Sequence, residues 1–224
     1  MATALNHPFY PLDLNPIGYA ANTMSITALL ETFAVTVAGV IALTSAVVKA
    51  AKPSISRTDK VLVGWFVFSG CIHFVLEGYF VYNHKIMPRR LDLLGQMWKE
   101  YAKADSRYMT MEPFVLCMET ITAFAWGPLC YITAWMIVSE STHRHPAQMI
   151  VSMGQFYGDI LYYATSIMEG IYHGRSYARP ETFYYWGYFI FLNAFWIVIP
   201  AFCIYQSYSK MVGAFRQASS SSVK

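Results

Sequence analysis

His73 and Glu77 stand four residues apart in the run CIHFVLEGYF, residues 71–80. At about 3.6 residues per turn that spacing places imidazole and carboxylate on one helix face, close enough to touch. The surrounding residues are apolar from Val61 to Tyr82, long enough to cross a bilayer. Ionisable groups at that depth are costly and turn toward a protein interior or cavity. A second carboxylate, Glu119, stands in another apolar run with Thr122 three residues on. Three titratable groups at mid-span are more than helix association needs. Burial disfavours a charged carboxyl, so one glutamate can stay protonated as an acid, with His73 orienting it or sharing its proton. The other, ionised, would be a base, and the chemistry open to the set is proton donation and abstraction.

The elements that must carry these groups follow from composition. The 224 residues are 56% hydrophobic, 17% aromatic and 13% charged, against roughly 25% charged in soluble chains. The sparse charge lies outside several apolar runs, as in a polytopic membrane protein. Five spans are expected, at about 25–48, 61–82, 114–138, 149–172 and 183–205. The fold expected is an all-α integral membrane bundle of five transmembrane helices. Residues 1–24, with Pro8, Pro11 and Pro16, read as an extended arm with turns, and 208–224, ending ASSSSVK, as a disordered tail. Pro128 is expected to kink the third span and Pro200 to break the fifth. No basic segment followed by a short apolar core opens the chain, so the first span is expected to be the anchor. Lys and Arg counts tie across the two sides. The first loop, however, carries Lys49, Lys52, Arg57 and Lys60 while the preceding arm carries none. That contrast places the arm in the lumen and the tail in the cytosol.

Further polar residues recur at helical spacing: Gln155 with Asp159 in the fourth span, Asn193 with Trp196 in the fifth. A bundle can turn all of these pairs toward one cavity. The plainer alternative is that Gln155 and Asn193 hydrogen-bond helices together, at about 0.6–2 kcal/mol each. Asp159 would then pair with Gln155, and Trp196 would serve packing. Glu31 lies near the start of the first span and reads as interfacial, and Trp98, Tyr101 and Tyr108 as membrane-interface aromatics.

Other chemistries find no support. His and Glu at this spacing suit a metal, but no HExxH occurs and the remaining histidines fall outside the spans. No phosphate loop, dinucleotide fingerprint or nucleophile elbow is present. The net charge of +3 comes without a basic-aromatic face, which argues against nucleic acid. Cys71, Cys117, Cys130 and Cys203 each fall within a span without CxxC spacing, as buried thiols. What survives is proton chemistry on something lipophilic, or binding of it.

The stretches HPFYP at residue 7, IHFVLEGYF at 72, WKEYAKADSRY at 98, CMETITA at 117, GQFYGDILYY at 154 and FLNAFW at 191 resemble the emopamil-binding protein family of sterol Δ8–Δ7 isomerases. The resemblance covers nearly the whole chain. It implies an intramembrane sterol cavity, residence in the endoplasmic reticulum membrane, no cofactor, and binding of cationic amphiphilic ligands as well as sterol. It also implies a homodimer. By it, His73, Glu77, Glu119, Thr122, Asn193 and Trp196 fall on the family's catalytic positions. Ala104 replaces a common glycine and Tyr79 a common tryptophan, the latter expected in the cavity wall. The lysine-rich ending familiar in animal members is missing. The implied reaction protonates carbon 9, leaves a cation at carbon 8 and removes a proton from carbon 7. His73 with Glu77 would donate, Glu119 would accept, and these two roles are exchangeable. Trp196 would face the cation, and Thr122 and Asn193 would hold the carboxylates. A non-catalytic sterol or amine receptor on the same fold is the rival reading, and an ion or proton pathway a third.

Overall fold

The computed structural model describes residues 7–221. The outermost residues of the expected arm and tail, 1–6 and 222–224, lie outside this range. Among the described residues all regular structure is helical. Ser25 starts α1, Ile26–Ala51, by accepting the amide of Ala28, and Ser56 starts the next helix by accepting that of Asp59. That helix, α2, runs over Arg57–Arg89 and contains a π-helical stretch at Ile72–Glu77. A short helix α3, Leu93–Tyr101, is capped by Asp92. Then come α4, Pro113–Val138, with a π stretch at Thr122–Trp126, and α5, Arg144–His173. The last, α6, Phe183–Ser221, begins with a π stretch at Phe183–Leu192.

Four of these, α1, α2, α4 and α6, are long and apolar enough to cross a membrane. Their outward faces leave Val35, Leu43, Val61, Trp135 and Phe202 exposed, which suits a lipid solvent and not water. α5 is as long but more polar, carrying Gln148, Gln155, Asp159 and Glu169. The chain is a multi-pass membrane protein.

Two corrections to the sequence reading concern α6. Residues 208–221 are not a disordered tail but continue this helix. Good helix formers (Ala214, Arg216, Gln217, Ala218) carry it outward, and the hydroxyls of Ser219, Ser220 and Ser221 donate to carbonyls one turn back. Nor does Pro200 break the helix, which passes through it; neighbouring segments in a bundle make a proline tolerable.

The connection from α2 to α4 is a packed plug at one end of the bundle. Lys99, Glu100, Asp105, Ser106 and Arg107 are all buried in it, and each buried polar group needs a partner. Arg107 donates to Asp105 at 2.6 Å, to Thr165 Oγ1 at 2.7 Å and to the Tyr162 carbonyl at 3.1 Å. Burial works against its charge, but the Asp105 carboxylate outweighs that and holds the guanidinium above its ordinary pKa. The N-terminal arm is stitched on top. Gln96 Oε1 accepts the amides of Thr23 and Met24, Lys99 donates to the Ala20 carbonyl at 2.6 Å, and Phe9 is wholly buried.

Candidate active site

The π stretches of α2 and α4 pack against one another. A wider turn of this kind commonly marks a functional site. Close approach depends on Gly127, where a Cβ would stand 3.1 Å from the Phe74 amide nitrogen and 3.4 Å from the His73 Cβ. His73 is 3% exposed. Its Nδ1 lies 2.9 and 3.0 Å from the two Glu77 oxygens. Its Nε2 meets two groups from other helices, the Trp196 indole N–H at 3.3 Å and the Gln155 side-chain amide at 2.9 Å. An indole nitrogen can only donate. Nε2 therefore accepts, the ring proton sits on Nδ1, and a neutral His73 donates to the Glu77 carboxyl.

Glu77 in turn lies close enough to Glu119 for their side chains to interact. Two buried carboxyls side by side are easier to accommodate with one proton between them than with both ionised. Glu119 Oε1 also accepts the Tyr108 hydroxyl at 2.5 Å. Tyr108 belongs to the plug, where burial and then the charge of Glu119 push its phenol well above the ordinary pKa. It stays protonated and acts as a donor. A row of neighbours results: Trp196 and Gln155 donate to His73, His73 donates to Glu77, Glu119 stands beside Glu77, and Tyr108 donates to Glu119.

This row forms part of the wall of a cavity of about 520 Å³ bounded by α1, α2, α4, α5, α6 and the plug, within the range of small-molecule pockets. Leu29, Phe33, Phe68, Leu76, Phe195 and Ile199 supply much of the apolar lining. His73, Glu77, Glu119, Thr122, Asn193 and Trp196 all line it.

Three expectations need correcting. Tyr79 is not part of the cavity wall. Two residues past Glu77 a helical side chain faces away, and the Tyr79 hydroxyl instead donates to Asp92 at 2.6 Å and accepts from Arg90 at 2.9 Å. Thr122 does not hold a carboxylate, because its hydroxyl donates to the Met118 carbonyl one turn back, at 2.8 Å. Asn193 does not either. Its amide is engaged with the Tyr101 hydroxyl and the Phe189 carbonyl at the exit from the π stretch of α6. Gln155, for its part, bonds His73 and not Asp159.

Spacing does not assign Tyr108 at all, and it turns Gln155 toward the cavity without assigning it to His73. Tyr108 lies outside every apolar run, and only the inward fold of the plug brings it to Glu119. The one available signal for Gln155 is its place on the polar face of α5.

An all-helical membrane protein with a buried acid–base cluster in the wall of a half-open apolar cavity is the class that this fold and site define. Comparison with known proteins narrows it. The profile of EXPERA, the expanded EBP superfamily, matches residues 93–207. The chain is 35% identical over 212 residues to the mouse 3-beta-hydroxysteroid-Delta(8),Delta(7)-isomerase, covering 93% of this chain and 90% of that one. It is 32% identical over 211 residues to a probable enzyme of the same name from Arabidopsis thaliana, covering 94% and 91%. It is 31% identical over 159 residues to isomeliandiol synthase of Ailanthus altissima, covering 70% and 73%. The chain belongs to the EBP family.

Proposed function

We propose that this chain is a 3-beta-hydroxysteroid Δ8–Δ7 isomerase, a multi-pass protein of the endoplasmic reticulum membrane. In this reading α5 is a fifth span, its polar face turned inward, and the cavity receives the sterol. The observation that carries the proposal is the pair of carboxyls Glu77 and Glu119 in one cavity wall, Glu77 held by His73 and Glu119 by Tyr108. An alkene is a very weak base, so protonating carbon 9 is the difficult step. Losing a proton from carbon 7, beside a cation, is easy. The site must supply an acid and then tolerate positive charge.

The pair holds one proton at rest. Glu77, oriented by His73, delivers it to carbon 9, and the π electrons of the 8,9 double bond form the new C–H bond. Carbon 8 is left cationic beside two carboxylates, with the face of Trp196 on the same wall. A cation over an indole is worth about 2 kcal/mol or more when desolvated. Glu119 removes the carbon 7 proton, and the released electron pair closes the 7,8 double bond. The proton then passes from Glu119 to the neighbouring Glu77, which restores the starting state. Atoms and charges balance without a cofactor. A cationic amphiphile would be held by the same carboxylates as a mimic of the carbocation.

The test is conversion of a Δ8 sterol by purified protein in deuterated detergent buffer, without added cofactor, beside Glu77→Gln and Glu119→Gln. A Δ7 product with deuterium at carbon 9, lost in both variants, is expected. Full activity in either correctly folded variant would overturn the assignment. Amine binding without any turnover would make the chain a receptor.

A further inference from the structure

We infer that Asp159 is the residue that fixes the orientation of the sterol, by accepting a hydrogen bond from its 3β-hydroxyl. The inference rests on the sterol reading above and assigns the other end of the substrate.

Of the polar groups that line the cavity, the acid–base residues and their neighbours are committed, while among the described residues Trp65 Nε1, Gln155 Oε1, Asp159 Oδ2 and the Tyr188 hydroxyl are buried without a partner. His73, Glu77, Glu119 and Tyr108 bind one another; Asn193 binds Tyr101; Glu100 binds Lys103 and Tyr184. Asp159 also lines the cavity. Among the described residues neither of its oxygens has a hydrogen-bond partner, and Oδ2 is fully buried. A carboxyl left in an apolar wall without a hydrogen-bond partner is costly, so its retention there points to a partner that arrives with the ligand. The sterol brings a single polar group, one hydroxyl, which must itself be satisfied when it leaves the membrane surface for the cavity.

Position agrees with this pairing. Asp159 lies four residues beyond Gln155 on α5, about 6 Å along the axis at ~1.5 Å per residue. Gln155 marks the level of His73, and Asp159 is close enough to Glu119 for their charges to interact. In a sterol the hydroxyl stands on the ring adjoining the one that reacts, a separation comparable to one helical turn. With the hydroxyl on Asp159, the reacting ring lies beside the Glu77–Glu119 pair. Trp65, Gln155 and Tyr188 also line the cavity with a buried unpartnered atom, but an indole cannot accept, the Gln155 side chain is already held by His73, and Tyr188 is packed among Tyr101, Phe183 and Tyr184.

The test compares two ligands, a 3β-hydroxy Δ8 sterol and its 3-deoxy analogue, by equilibrium binding measured as quenching of tryptophan fluorescence. Wild type should bind the hydroxy sterol about tenfold more tightly. Asp159→Leu should lose that tenfold preference while binding the deoxy sterol as wild type does. Asp159→Asn, which keeps an acceptor oxygen but not the charge, should retain roughly a third of it. In turnover, Asp159→Leu should raise KM for the hydroxy sterol and leave kcat within about twofold. Equal affinity of wild type for the two ligands, or an equal loss on both in the variants, would overturn the inference. Binding needs no turnover, so an inactive wild type that still prefers the hydroxy sterol would sink the isomerase reading and leave this one standing.

Discussion

The indole N–H of Trp196 is directed at Nε2 of His73, 3.3 Å away across the interface of α6 with α2. The contact gives Trp196 a task distinct from facing a cation, since it keeps the ring proton of His73 on the nitrogen beside Glu77. Trp196→Phe separates the two, retaining an aromatic face and removing the donor. About a tenfold loss of kcat with little change in KM is expected, equivalent to about 1.4 kcal/mol. An unchanged kcat would mean that Gln155 alone holds the imidazole.

Tyr108 acts on Glu119 from outside the apolar runs. Tyr108→Phe leaves the packing of the ring against Trp98 and Phe80 but removes the hydroxyl that Glu119 accepts. Hydrogen bonds to charged groups contribute about 1.5–3 kcal/mol, so kcat should fall about 10- to 100-fold while the melting temperature moves little. A variant that melts much earlier, with activity lost in proportion, would show the hydroxyl to be structural.

Arg107 and Asp105 form an ion pair in which both side chains are nearly inaccessible, 2% and 0% exposed. Removing one partner leaves the other charge buried and uncompensated, at about 3–5 kcal/mol. Asp105→Ala and Arg107→Ala should each lower the melting temperature in detergent sharply, and the double variant should be less damaged than the sum of the two. Additive losses would show that the two charges do not stabilise one another.

Asp92 gives a dependence on pH. Burial raises its pKa, but the Tyr79 hydroxyl, the Gly95 amide and Arg90 together outweigh this and hold it below its ordinary value of 3.8. The unfolded chain therefore binds the proton more readily, and stability contributed by Asp92 is complete above about pH 4. It is lost as pH falls through the lower folded value. Because the side chain is 40% exposed, the effect is under about 1 kcal/mol. A small fall in melting temperature below pH 4, missing in Asp92→Asn, is the expected record; an identical fall in both proteins would remove Asp92 from the account.

How far the sequence carries is clearest at His73. Its contact with Glu77 lies within one helix, and four-residue spacing makes it readable. Its contacts with Gln155 and Trp196 join three helices and depend on how those helices are rotated about their axes, which no local pattern specifies. The same limit applies to Asn193 and Thr122, since both face the cavity while their polar atoms are bound elsewhere. The plug is the largest omission. WKEYAKADSRY has the polarity of a solvated loop, yet its charges pair inward, and that reversal exists only once Arg107 has Asp105, Thr165 and Tyr162 around it. The wide turns at Ile72–Glu77 and Thr122–Trp126 likewise have no signal in composition.

Helix α1 forms one wall of the cavity through Leu29, Leu30 and Phe33, yet within its whole length only Leu29 and Val48 are buried. The opposite situation holds at the end closed by the plug and the arm. On the proposed function, the wall with the least holding it borders lipid, so substrate and product exchange sideways with the bilayer. The concentration that governs such a protein is two-dimensional. Its velocity should follow the mole fraction of sterol in the membrane, and inert phospholipid added at constant bulk sterol should slow it as an ordinary competitor would.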